Sequence, residues 1–135
     1  YVNTELAPFS VNGPDAQNFI KVMNSFANPD DPRDTFAQSG YLSATYFVKR
    51  MMEMDPADMD DRTKVTDAIR SISGYTSDLM CGPYYVGDAD FHMPNHAGYM
   101  TKIIDGGYEI VRECYEFDSA YFAPHIAIEK ELGLR

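Results

Sequence analysis

Residues 39–54 read SGYLSATYFVKRMMEM, and the placement of this stretch decides the fold. Tyr41, Leu42, Ala44, Tyr46, Phe47, Val48, Met51 and Met52 cover most of the circumference of a helix running over about 39–54, with Ser39 or Gln38 near its cap. A helix that is apolar nearly all round is buried between other elements. Such a helix calls for more surrounding protein than a chain of this length easily supplies.

Upstream, residues 1–6 form a short extended segment, followed by a loop with Pro8, Asn12 and Gly13. Pro14 and Asp15 suit a first helical turn, where the missing N–H is harmless and negative charge is favoured. Ala16, Phe19, Ile20, Met23, Phe26 and Ala27 then make one apolar stripe on a helix ending near Ala27, and Pro29 and Pro32 break the chain. Downstream, an acidic loop over 55–61 leads into a third helix with Val65, Ala68, Ile69 and Ile72 as its stripe, stopped at Gly74. Residues 84–86 and 99–104 read as strands. Asp105-Gly106 is a hairpin turn whose two central residues need positive φ, so 108–115 returns antiparallel. Pro124 precedes a short helix or turn over 125–132. The order is strand, three helices, three strands and a tail, an α/β pattern in which helices outweigh the strands between them.

With 135 residues the chain has room for one compact domain. Its 44% hydrophobic and 24% charged residues match a globular protein, and no apolar run approaches the roughly 18 residues of a membrane span. A net charge of −10 argues against nucleic acid as a partner, because phosphate binding needs clustered Lys and Arg; Lys49-Arg50 is the only adjacent basic pair. Cys81 and Cys114 form neither a disulfide framework nor a metal motif. They are expected to be unbonded: Cys114 should fall opposite Tyr99, while Cys81 begins a strand that can enter the sheet from the other end. The start at Tyr1, with neither Met nor a charged-then-apolar leader, suggests a trimmed piece.

Motifs for catalysis are weak. Asp88, Asp90, His92 and His96 offer two carboxylates and two imidazoles, the ligand chemistry of a zinc-dependent hydrolase, but Pro94 prevents one helix from presenting both histidines. A polar loop between strands explains them more simply. Asp55, Asp58, Asp60 and Asp61 lack the glycine and closing Glu of a calcium loop, and read as helix caps on a solvated surface. Ser39-Gly40, Ser43 and Ser119 lie outside any nucleophile elbow, and Gly106-Gly107 belongs to the hairpin rather than to a phosphate loop. Ten Tyr and no Trp suit a ligand cleft, since Tyr pairs a rigid apolar face with a polar tip, although sheet and core packing account for most of them.

Ser39-Gly40-Tyr41-Leu42-Ser43-Ala44, followed by the apolar helix, resembles the Gly-Tyr-x-x-Ala helix start of the type I periplasmic solute-binding proteins of branched-chain amino acid ABC transporters. Cys81-Gly82-Pro83-Tyr84-Tyr85-Val86, the loop with Asp90 and His96, residues 99–104 and Asp105-Gly106 are similar to the family's Gly-Pro strand, Asp/His loop and closing strand. Residues 64–74 sit where the family has a short helix. The ordered set covers roughly 38–113. The extended hairpin over 111–122 departs from it.

The resemblance implies part of a type I lobe, three helices plus a C-terminal antiparallel hairpin, with residues 1–135 as the C-terminal portion of a two-lobed ligand-binding domain. It implies a binding component and not an enzyme. Tyr41 and Ser39 would line the interlobe cleft, with no catalytic residue, metal or cofactor. The expected ligand is a small amino-acid-like solute, an amide or an aromatic acid, and the expected partner is a membrane ABC permease. The place would be periplasmic or extracellular, with a lipid anchor open to the absent N-terminal part. The alternative on the same fold is a sensory or regulatory ligand-binding domain; a metal-dependent hydrolase is the more distant one. A chain lacking its first lobe is further expected to self-associate.

Overall fold

The structure is a computed structural model that describes residues 1–7, 12–86 and 95–134. The elements run β1 (Val2–Thr4), α1 (Pro14–Phe26), α2 (Thr35–Met52), α3 (Arg62–Arg70), β2 (Ala97–Ile104), β3 (Gly107–Glu116) and α4 (Ala123–Glu131). A single 3₁₀ turn at Pro56–Asp58 precedes α3, and another at Ala120–Phe122 precedes α4. This is an α/β architecture consistent with part of a periplasmic-binding-protein lobe. The three strands form one antiparallel sheet in the order β1-β2-β3. Asp105 and Gly106 both have positive φ, 47° and 80°, so the hairpin turns as its sequence dictates.

Helix α2 starts a turn earlier than residue 39. The Asp34 carboxylate accepts from the Ala37 amide at 3.0 Å and caps the helix there. Tyr41 therefore lies in the second turn, away from the unpaired amides at the helix start. Nor is α2 buried all round: Gln38, Leu42 and Tyr46 are its buried residues, while Phe36, Phe47, Val48 and Met52 face outward. The periodicity was dense enough to read as full burial, but only one face has protein against it.

That face meets α1 and the segment around residue 79. Ala16, Phe19, Leu42, Tyr46, Leu79 and Met80 form the main core. Helix α1 is capped from a distance: the Asp78 carboxylate accepts from the Asp15 and Ala16 amides, each at 3.0 Å, and Ser77 Oγ donates to Asp15 at 2.6 Å. Two otherwise orphan amides of α1 are thereby satisfied by a loop more than 60 residues on. A Cβ at Gly13 would stand 1.8 Å from Asp78, so only glycine lets that carboxylate approach.

Residues 84–86 do not join the sheet. Tyr84 makes one isolated antiparallel bridge with Tyr75, closing the loop instead. The cysteines are another correction: Cys81 and Cys114 are disulfide-bonded, with Cα atoms 5.4 Å apart. The amide of Ala7 donates to Leu79 and that of Cys81 to Glu5, both at 2.9 Å, so residues 79–81 run beside the chain just after β1. Asn95 donates to the Cys81 carbonyl at 2.5 Å and accepts from the Ala97 amide, fixing Cys81 where β2 begins. That is also where β3 ends. The register passes from Gly98↔Tyr115 to Met100↔Arg112, so Tyr99 faces the pair Glu113 and Cys114 across a bulge.

Candidate ligand-binding site

Ser39, Leu42, Ser43 and Tyr46 follow one another at spacings of three, one and three residues, which places them on one face of α2. All four line a cavity of about 230 Å³ closed on its other sides by Glu5, Leu6, Met80, Tyr84 and Asn95. The floor is apolar, made by Leu42, Leu6 and Met80. The rim carries the Ser39 and Ser43 hydroxyls and the Glu5 carboxyl.

The polar groups differ in what they have left to offer. Tyr46 is buried and its hydroxyl donates to Met80 Sδ at 2.9 Å. Desolvation, reinforced by Tyr75, Tyr84 and Asp15, raises its pKa far above the ordinary phenol range, so it stays neutral. Asn95 is committed to Cys81 and Ala97. Glu5 is largely exposed as a residue, yet desolvation of its carboxyl raises its pKa. Loss of solvent, and then that carboxyl, raises the pKa of Tyr84 as well. Among the described residues no Lys, Arg or His lines the cavity. Its surface offers acceptors and hydroxyls over an apolar floor, a match for a small molecule bearing N–H donors.

The two residues singled out by sequence part company. Ser39 is on the cavity wall. Tyr41, two residues along and so on another side of the helix, packs edge-on against Phe19 with ring centroids 5.6 Å apart. Glu5, Ser43, Tyr46 and Tyr84 were not singled out. The signal for three of the wall residues was present in the 39–42–43–46 stripe, which mixes two hydroxyls with two core groups. Glu5 carried none, since only the pairing of residues 79–81 beside it brings it there.

Of the metal candidates, Asp88, Asp90 and His92 lie outside the described residues. His96 is buried and its Nε2 lies 2.5 Å from Glu129 Oε1, which also accepts from the Tyr85 hydroxyl at 2.8 Å. Among the described residues no three His, Cys, Asp or Glu side chains are grouped to hold an ion. Two aspartates of the acidic loop act as caps, Asp55 accepting from Ala57 and Asp61 from Thr63, while Asp58 pairs with Lys64.

The comparison with known families agrees with this geometry. The model of the periplasmic binding proteins matches residues 1–108, most of the chain. The chain belongs to the periplasmic binding protein family. The matched span includes the whole cavity wall, and it ends just past the hairpin turn, before most of β3 and α4. No curated protein and no solved structure matches the chain. Proteins of this family bind small solutes, and membership points to a periplasmic or extracellular location. Among the described residues no helix is long and apolar enough to cross a membrane.

Proposed function

We propose that the chain is the C-terminal portion of the solute-binding component of an ABC importer. Its ligand is an amino-acid-like solute, an amide or an aromatic acid, taken between two lobes and released to a membrane permease. The observation that carries this reading is the α2 wall, with two hydroxyls one turn apart above an apolar floor, in a chain of the periplasmic binding protein family. The acceptor-rich rim favours the amine or amide end of the ligand on this side. Ser39 contributes a hydroxyl from the cavity wall, and Tyr41, off that wall and beside Phe19, a ring contact at the edge of the wider interlobe cleft.

Calorimetry on the full-length protein with leucine, acetamide and benzoate tests this. One of the three should bind, and Tyr41→Ala should weaken it by about 1–3 kcal/mol through lost contact area. Ser39→Ala should cost about 1 kcal/mol, the net worth of one hydrogen bond. Unchanged affinity in both variants, with the fold intact, removes these residues from the site.

A further inference from the structure

We propose that the groove between α2 and the segment 71–75 that follows α3 is a second binding site, for a small carboxylate with an apolar body, formed where Lys49 and Arg50 meet the Tyr46 and Tyr75 rings. The groove has a volume of about 220 Å³ and is open to solvent. It is separate from the cavity at Ser39; Tyr46 alone lines both.

Charge argues for the anion. The chain carries 21 acidic and 11 basic residues, and its only adjacent basic pair faces this groove. The two cations have different tasks. Arg50 is spent on holding the walls: its guanidinium donates to the Ala68 carbonyl at 2.9 Å, to Ser71 Oγ at 2.8 Å and to Glu53 at 2.6 Å. Glu53 balances that charge. Among the described residues Lys49 has no carboxylate within ion-pair distance. Its ammonium donates to the Tyr75 hydroxyl at 2.8 Å and lies 5.0 Å from that ring's centroid. An ammonium has three protons, so two remain for a ligand oxygen. The hydrogen bond it donates to Tyr75, and then the nearby Asp15 and Tyr41, raise its pKa, which keeps it charged.

The walls argue for the apolar body. Tyr46 and Tyr75 pack with centroids 3.9 Å apart, and Ile72 completes the surface. A ring or branched chain set against them leaves its carboxylate within reach of Lys49. A charge-assisted pair is stronger than a neutral hydrogen bond, which decides in favour of the carboxylate over its amide.

The test is a titration of the isotope-labelled chain with benzoate, followed by amide NMR, with acetate and benzamide as controls. Benzoate should give saturable shifts at Ser71, Ile72, Ser73 and Tyr75. Benzamide, acetate and the Lys49→Gln variant should each bind about tenfold more weakly or worse, Lys49→Arg should restore binding, and Ser39→Ala should leave it unchanged. Lys49 is exposed, so a well-dispersed Lys49→Gln spectrum is expected. Absence of saturable shifts overturns the proposal. So do equal binding by Lys49→Gln or benzamide, and shifts that gather at Glu5, Leu6 and Ser39 instead.

Discussion

Cys114 ties the outer strand of the sheet to a second, smaller buried cluster around Cys81. It lies on exposed β3, whereas its partner Cys81 is fully buried beside Ala7, Ala97 and Tyr99. The bond closes a sequence separation of 33 residues, and the chain-entropy relation puts the stabilisation at about 4 kcal/mol, a large share of a domain's total. The double variant Cys81→Ser/Cys114→Ser should accordingly unfold at a clearly lower urea concentration, and an unchanged midpoint would show the bond to be idle. This pairing was not legible in the sequence, because it depends on residues 79–81 running beside β1, a contact no local pattern encodes. His125 gives a second residue-scale expectation. Its buried ring stacks on Tyr85 with centroids 4.1 Å apart, beside His96 and Glu129. Burial first, and then His96, lowers its pKa from 6.5, against the opposing pull of Glu129. The unfolded chain therefore binds more protons just below pH 6.5. The stability tied to neutral His125 is intact above that value and is lost as pH falls toward the folded pKa. Thermal melts at about pH 7.5 and 5.5 should show a drop that is smaller in His125→Gln. Equal drops in both proteins would place the pH dependence elsewhere.

At the scale of elements, helices were more legible than strands. Helix α1 follows from spacing alone, and Asp105-Gly106 fixed the hairpin through two positive φ angles; α3 is where its spacing put it but ends at Arg70 with Ser71 as its cap, so Ile72 and Gly74 lie beyond it. The start of α2 was missed because the apolar run dominates, while the capping signal is the single residue Asp34 within a Pro-rich stretch. Asp34→Ala should destabilise the chain by about 1 kcal/mol, the usual worth of a side-chain cap. It should also fray the turn that carries Gln38 and Ser39, so circular dichroism and ligand affinity are expected to fall together. A variant with full helicity and unchanged stability would show that packing against α1 alone defines this end. Strand pairing failed where Tyr84 forms only one bridge, since Val and Tyr in a short run fit a closed loop as well as a sheet. The candidate site was legible to the extent that it lies on one helix face. Its far wall comes from long-range pairing and was not.

At the scale of the whole molecule, the balance between buried and exposed apolar groups is unusual. Phe26, Phe36 and Met52 are 86%, 84% and 79% exposed on the helices, and Ile103, Tyr108 and Val111 are exposed on the hairpin. Single exposed apolar residues are ordinary, but three long side chains standing this far out on α1 and α2 together are not. Both outer strands of the sheet are edges, and β3 is exposed along nearly its whole length. Such an edge pairs readily with another chain. Burying one Phe is worth about 1.5–3 kcal/mol, so covering even two of these groups offsets much of the entropy lost on association. The chain on its own is therefore expected to self-associate, through the helix faces, the β3 edge or both. Light scattering over a range of concentrations should give a mass above that of one chain. Phe36→Ser combined with Phe26→Ser should shift the equilibrium toward the monomer if the helices supply the contact. If only a charge placed on β3, as in Val111→Lys, does so, the contact is the sheet edge. A monomer at every concentration would mean that the −10 charge outweighs the apolar surface, and would remove self-association from the description of this chain.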